Sequence, residues 1–440
     1  MTSYLEQYDA APEAEKWPLA RSWIDSPKEV LPFFAELREK RPVMITPQCA
    51  LIARYDDVIE ALNMPKIFTA YLYWAKMNDG IYLMAHDDDA LHYREKSIMQ
   101  GFLNRDDIPR VRAMVAEIAK GLLDAAGGRI EAIDGYTRMV PARLVQDYFG
   151  LSGGRVADLK TWSYWNQVDN FYNQPFDLRS DAERKQISDN HVKANEDLAR
   201  FIAILVAKRL PLAKVEEGVG WLSALWRLIK RLVTHKEEEA CDDIVSRMLR
   251  SSFAHEVEFD IARVGINISG LLIGAVETTS QAVAQTIQFF LERPDLLAKA
   301  KAAAAGSDTA AFDGHVWEAL RFVPISPYMF RQLSCDYTVG RSEGYATTIP
   351  RGTNVLTLTQ SAMFDERAFD NPEAFIPGRN WYNTFTFGYG SHECLGKYVG
   401  MAMIPEMVRQ MLLRPGLAQD APIDYKNEHL PQAYHLAWNA

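Results

Sequence analysis

The sequence predicts a mainly α-helical protein with a smaller β part, and three observations carry the prediction. Apolar residues recur at helical spacing over most long segments, Val30–Lys40 and 106–126 among them. Short β-like runs are confined to about 43–53, to 337–358 and to the C-terminal segment. One apolar stretch, 260–293, is long enough for a single helix of roughly 50 Å. No repeat and no Gly/Ser-rich linker divides the chain, so residues 1–440 read as one domain.

Composition narrows the function. Of 440 residues, 48% are hydrophobic, enough to bury a large core, and 24% are charged, too few for a disordered solvating chain. A net charge of −10 argues against a nucleic-acid binder, which needs a basic face for phosphates. Cys49, Cys241, Cys335 and Cys394 are far apart, so neither a disulfide framework nor an iron–sulfur cluster is expected. The N-terminus has no apolar signal segment. The most apolar run, 268–276, falls far short of the ~20 residues a membrane span needs. The expectation is a soluble cytoplasmic protein without a transmembrane segment. The basic amphipathic stretch 221–236 reads as a peripheral helix, with membrane-surface or partner contact as the rival reading.

The helix at 260–293 is bounded by Asp260, a capping side chain, and by Pro294, which stops it. Its middle is apolar nearly all round, as expected of a helix crossing the core. That middle also carries Gly270, Gly274, Glu277, Thr278 and Thr279. Interior glycine costs ~1 kcal/mol relative to alanine, and a buried Glu costs more unless paired. Two readings stand. Either another helix packs on the glycines while Thr278 bonds back to a carbonyl, or a bulky ligand lies there beside an acid–alcohol pair.

Glu318 and Arg321 share a face of a short helix ended by Pro324 and can bridge. Residues 363–380 contain Pro372, Pro377 and Gly378 without helical period, and read as a long ordered loop. From Phe387 the chain reads Phe-Gly-Tyr-Gly-Ser-His-Glu-Cys-Leu-Gly. Glycines on both sides of Cys394 suggest a tight loop entering a helix at about Leu395, whose free N–H groups and dipole favour a thiolate. Three readings compete: a plain buried cysteine, a nucleophile with His392 as base, or a thiolate ligand to haem. One His and one Cys are too few for zinc.

Taken together and in order, these motifs resemble the cytochrome P-450 superfamily. The haem-loop pattern Phe-x-x-Gly-x-x-x-Cys-x-Gly falls on Phe387, Gly390, Cys394 and Gly396. Glu-x-x-Arg falls on Glu318 and Arg321, Phe-x-Pro-x-Arg on Phe375, Pro377 and Arg379, and the acid–Thr signature on Gly274 to Thr278. The match spans about residues 85–410. The resemblance implies the P-450 fold, with the long helix crossing haem b (iron protoporphyrin IX).

It implies roles as well. Cys394 would be the iron ligand, Phe387 its shield, and Gly390 and Gly396 the turn residues. His392, His92, Lys96 and Arg331 would face the haem propionates. Gly274 and Ala275 would lie against the macrocycle. Thr278 would relay a proton to bound oxygen, fed by Glu277, and its hydroxyl would bond to the Gly274 carbonyl. Glu318, Arg321 and Arg379 would form a buried structural network. Departures from the family pattern are Ala275 for Gly, Lys96 for Arg, Gly400 for Ala, Met403 for Glu, and Pro405, expected to kink its helix.

The family's pocket positions fall on Tyr71, Tyr73, Trp74 and Tyr82 before His92, on Asn267, Gly270 and Leu271 in the long helix, and on Ile325 and Met329 after Glu-x-x-Arg. Trp165, Tyr172 and Phe176 are placed at the entrance, and Lys76 is the cation for a substrate carboxylate. These imply an O2-dependent monooxygenase that hydroxylates or demethylates a small apolar, aromatic-tolerant molecule. Electrons would come from a separate partner such as a ferredoxin with its reductase, docking on Lys397, Arg110 and Arg112. The alternatives are a peroxide-dependent or non-redox thiolate-haem enzyme and a non-catalytic haem-binding protein.

Overall fold

The structure is a computed structural model and describes residues 3–77, 81–218, 242–252 and 259–439. The basic stretch 221–236 lies outside the described residues. Three N-terminal helices, α1 (Tyr4–Ala10), α2 (Glu13–Asp25) and α3 (Val30–Lys40), lead to strands β1 (Val43–Ile45) and β2 (Ala50–Ile52), then α4 (Tyr55–Asn63) and β3 (Phe68–Thr69). Helices α5 (Tyr71–Lys76), α6 (Ala90–Phe102) and α7 (Ile108–Ala126) precede β4 (Arg129–Glu131) and α8 (Met139–Leu144). The helical body continues through α9 (Val156–Tyr172), α10 (Asp181–Gly218), α11 (Ile244–Ser251), α12 (Ile261–Ala275), α13 (Glu277–Leu291), α14 (Pro294–Ala305) and α15 (Thr309–Phe322). Strands β5 (Met329–Leu333), β6 (Tyr337–Val339), β7 (Thr347–Ile349) and β8 (Asn354–Thr357) are followed by α16 (Thr359–Ala362), α17 (Lys397–Leu412), β9 (Ala418–Gln419) and β10 (His435–Ala437).

The β part forms a five-stranded sheet in the order β1-β2-β8-β5-β3, a three-stranded sheet β4-β10-β9 and the hairpin β6-β7. Pairing of β2 with β8 is parallel, and that of β5 with β8 is antiparallel, with Arg331 opposite Val355. Sequence reading missed β5. It is five residues long, and Arg331 and Gln332 interrupt its apolar run. The largest apolar cluster is helical and joins α7, α12, α13, α15 and α17 around Ile268, Leu272, Val283 and Met407.

Two expectations are corrected. The 260–293 helix is two helices, parted at Val276. Asp260 caps the first, accepting from Arg263 N at 2.9 Å. The break has a local cause: Thr278 Oγ1 donates to Gly274 O at 2.6 Å, and a side chain bonding back into the ladder bends a helix. Helix α17 begins at Lys397, two residues past the expected start at about Leu395, and Pro405 lies inside it. Proline at 405 supplies no N–H to Met401 O, and Arg112 Nη2 donates to that carbonyl at 3.3 Å instead. The segment Ile261–Leu291 is long and apolar enough to cross a membrane by length and composition alone. Two of its buried polar residues are paired inside the fold: Asn267 with Glu95 and Glu277 with Arg138.

Candidate haem-thiolate site

The loop before α17 is bent by Gly388 and Gly390, with φ of +77° and +67°, a region in which a Cβ is strained. A Cβ on Gly390 would also stand 3.0 Å from Leu62 O. The turn closes on itself, Cys394 N donating to Phe387 O at 2.7 Å. Phe387 meets Trp317 and Trp381 edge-on, at 5.7 Å and 6.0 Å between ring centroids. On its other side lies Gly400, where a Cβ would come within 2.7 Å of the ring. The glycine at 400 thus makes room for Phe387. Met403 is core.

The Cys394 residue is exposed. Desolvation pushes its thiol pKa up, while a hydrogen bond from Gly396 N–H and the Lys96 charge pull the other way. The helix-break region presents Gly274, exposed in a mostly buried stretch, where a Cβ would meet nothing within 4 Å. One turn earlier, Gly270 lies under Tyr82: a Cβ there would be 2.5 Å from the Tyr82 hydroxyl oxygen. Tyr82 also feels the charge of Cys394, which raises its phenol pKa alongside burial.

The basic residues around this space divide. Arg331 is 4% exposed, donates to Phe330 O at 2.8 Å and forms no ion pair among the described residues. Burial disfavours its charge. His392 Nε2 lies 3.6 Å from Asp87 Oδ1 and makes no hydrogen bond among the described residues; burial lowers its pKa to about 4. His92 and Lys96 both reach the thiol loop. His92 Nδ1 faces Leu83 O and Nε2 faces Ser391 O, both at 2.9 Å, and Lys96 Nζ donates to the same Ser391 carbonyl. These two tie α6 to the thiol loop.

Glu277 turns away from Thr278. It is 1% exposed and pairs with Arg138 Nε at 2.9 Å, and burial raises its pKa against that pairing. Nothing in the sequence marked Arg138 as its partner, 139 residues away. On the opposite side of the thiol loop, Arg321 binds Glu318 through two bonds of 2.8 Å and 3.0 Å, and Arg379 Nε reaches Glu318 Oε1 at 3.4 Å.

The residues expected to line the pocket have the following neighbours. Asn267 is fully buried and donates to Glu95 Oε2 at 3.1 Å and Arg263 O at 2.9 Å; Glu95 also pairs with Arg263. Tyr71 points outward, 53% exposed. Trp74 packs edge-on against His86, and Tyr73 stacks on Phe330 at 4.4 Å. Leu271 is buried in the helical core. Ile325 contributes its carbonyl to Gln281 at 2.9 Å. Met329 reaches the thiol loop, its Cε 3.6 Å from where a Gly388 Cβ would be. Phe176 is core, its carbonyl bonded to Trp17 Nε1 at 2.7 Å, and Tyr172 stacks on His429. Lys76 is engaged by Asp169 at 3.0 Å. The three docking cations are each paired within the chain: Lys397 with Glu393, Arg110 with Asp242, Arg112 with Asp313.

These features fit a flat, dianionic macrocycle. A thiol on a glycine-bent loop, an open glycine face on the helix above and a desolvated arginine without an anion suit haem's iron, ring and propionates. Fold and site define a haem-thiolate protein. The chain belongs to the cytochrome P-450 family, whose model matches residues 171–415. It is similar to the steroid C26-monooxygenase of Mycobacterium tuberculosis, 22% identical over 83% of this chain and 86% of that one. It is also similar to the C-19 steroid 1alpha-hydroxylase of Sorangium cellulosum, 22% identical over 91% and 92%. Among solved structures it resembles CalO2, with a TM-score of 0.72 at 19% identity over 94% of this chain and 97% of that one. CYP109E1 from Bacillus megaterium, solved in complex with testosterone, gives 0.70 at 17% over 94% and 100%. The chain is thus a cytochrome P-450 monooxygenase, and its cofactor is haem b.

Proposed function

We propose that the protein inserts one oxygen atom of O2 into an apolar, steroid-sized molecule, by hydroxylation or oxidative demethylation, using electrons from a separate ferredoxin-type partner in the cytoplasm. The observation that carries this reading is the helix break at Val276, where Thr278 Oγ1 is held on Gly274 O at 2.6 Å beside an open glycine face. Two relatives are named for steroid oxidation, and the apolar character of α12 suits such a molecule.

Cys394 would hold haem b, with Arg331 and His392 toward its propionates, and the cofactor would supply the oxygen-activating and oxygen-inserting chemistry. The chain's own residues do the rest. Thr278 holds a proton at Oγ1 and its hydroxyl is oriented by the Gly274 carbonyl. Glu277 is too firmly paired with Arg138 to reach Thr278 directly; it delivers protons only when that pair opens. Tyr82 borders the reacting space at the Gly270 end and limits the substrate's reach along α12.

The test is the carbon monoxide difference spectrum of the reduced protein, followed by turnover of a steroid panel with ferredoxin and reductase. A strongly red-shifted Soret band, absent in Cys394→Ala, and hydroxylated product dependent on the electron donor are expected. Product formed with hydrogen peroxide but not with the electron donor would replace this reading by the peroxide-dependent one.

A further inference from the structure

Four aromatic side chains form a continuous path from the thiol loop to the surface. Phe387, whose carbonyl accepts from Cys394 N at 2.7 Å, meets both Trp317 on α15 and Trp381 in the loop before it. The two indoles lie against each other, 5.2 Å between ring centroids. Trp381 in turn stacks on Tyr382, at 4.1 Å and an interplanar angle of 26°. Trp317 is buried, Trp381 half-buried and Tyr382 55% exposed. Exposure therefore rises in the order in which the rings touch.

The surface end of the path is held in place. Asn380 Oδ1 accepts from Tyr382 N at 3.2 Å and opens a short turn, Trp381–Asn383. Thr384 Oγ1 donates to Trp381 O at 2.6 Å. Lys397 Nζ lies 5.8 Å from the Trp381 ring centre and 5.2 Å from that of Tyr382, fixed there by Glu393 at 2.6 Å. A ring more than half exposed buries little apolar area, so packing alone accounts poorly for Tyr382. Its chemistry accounts for it better. Indole and phenol are among the side chains most easily oxidised by one electron, and stacked rings pass an electron readily. The Lys397 charge disfavours a positive charge resting on the indole, whereas an exposed phenol sheds that charge as a proton to water. Tyr82 loses its proton less readily, because burial and the Cys394 charge raise its phenol pKa.

We propose that Phe387, Trp317, Trp381 and Tyr382 form a route by which electrons reach the haem site and discharge an oxidising equivalent that has met no substrate. The proposal rests on the reading above of a haem-thiolate enzyme that activates oxygen, and adds a protective function to it. Trp381 gives one electron toward the cofactor through Phe387, with Trp317 as the parallel indole. Tyr382 refills the indole with one electron and releases its phenol proton to water. A thiol or ascorbate in solution then returns one electron and one proton to Tyr382. Each pass takes one electron from that reductant and delivers one to the cofactor, so two passes clear a two-electron equivalent.

The test treats the substrate-free holoenzyme with hydrogen peroxide, without added reductant, and freezes it for electron paramagnetic resonance. The proteins compared are the parent, Tyr382→Phe, Trp381→Phe and, as a control, Tyr93→Phe, which removes another exposed phenol. Each must show the red-shifted carbon monoxide band of folded holoenzyme. The parent is expected to give a tyrosyl radical signal, abolished in Tyr382→Phe, several-fold weaker in Trp381→Phe and unchanged in Tyr93→Phe. Bleaching of the Soret band by peroxide should be several-fold faster in Trp381→Phe than in the parent. A spin trap added to the parent protein, which needs no substitution, should mark Tyr382. A trap adduct confined to other residues, a signal that survives in Tyr382→Phe, or equal signal and bleaching in Trp381→Phe and the parent would overturn the route. A normal carbon monoxide band with no radical in the parent would overturn the route alone. A parent protein lacking that band would bring down the haem-thiolate reading and the route with it.

Discussion

The contact between Gly270 and Tyr82 is open to a quantitative test. In Gly270→Ala the new methyl would stand 2.5 Å from the Tyr82 hydroxyl oxygen. The ring has little freedom to yield, because its neighbour Ile81 is fixed through Arg263, whose Nη1 donates to Ile81 O at 2.8 Å and which is paired with buried Glu95. Over-packing of this kind costs about 1–3 kcal/mol. Replacing an interior helical glycine by alanine returns ~1 kcal/mol. The single variant is thus expected to lose between about 0 and 2 kcal/mol by these two magnitudes. In a Tyr82→Ala background the clash is gone, and the same substitution should stabilise by ~1 kcal/mol. The coupling between the positions is therefore about 1–3 kcal/mol. Urea unfolding of the four proteins, with midpoints compared at constant slope, measures it. If Gly270→Ala has the same effect in both backgrounds, within ~0.5 kcal/mol, Tyr82 does not rest on Gly270 and the border assigned to the pocket is wrong.

Three further outcomes are expected. Arg321→Lys keeps the charge but loses the fork on Glu318 and the bonds to Met363 O and Pro372 O; losing these bonds should cost about 1.5–3 kcal/mol and show as lowered thermal stability and poor haem retention. Thr278→Ala should lower product formed per electron consumed several-fold while Thr278→Ser restores it; equal coupling in all three would remove Thr278 from proton handling. His429 stacks on Tyr172, and burial lowers its pKa from 6.5 to about 4. The unfolded chain takes up that proton first, so the contribution is complete above pH 6.5 and is lost as pH falls toward about 4. His429→Phe keeps the ring and should flatten the acid side of the melting-temperature profile over that window.

Much of the architecture was legible because its signals are local. Helical period gave Val30–Lys40 with the bounds observed, and Asp260 marked the start of α12 through its own capping bond. The ordered loop after residue 363 followed from its prolines and glycines. The distortion at Val276 was not legible, although the Thr278–Gly274 bond that causes it was, because whether such a bond bends or breaks a helix depends on what packs around it. Pro405 illustrates the same limit from the other side. The sequence shows the missing N–H, and only the fold supplies Arg112 to satisfy Met401 O.

The sequence by itself determined the family and offered the groups proposed to carry the chemistry. A thiol between glycines, an acid–alcohol step on an apolar helix and Glu-x-x-Arg are short-range patterns whose spacing is fixed by the backbone. Tertiary structure decided which groups are free to act. It paired Glu277 with Arg138, drew His92 and Lys96 onto Ser391, set Asn267 on Glu95, and engaged Lys76, Arg110, Arg112 and Lys397 with carboxylates. Among the described residues it also left Arg331 without an ion pair, and Gln167 Oε1 and Asn170 Oδ1 without a hydrogen-bond partner. The physical reason is that a buried polar group is defined by its neighbour in space, and most of these neighbours lie a hundred residues or more away along the chain.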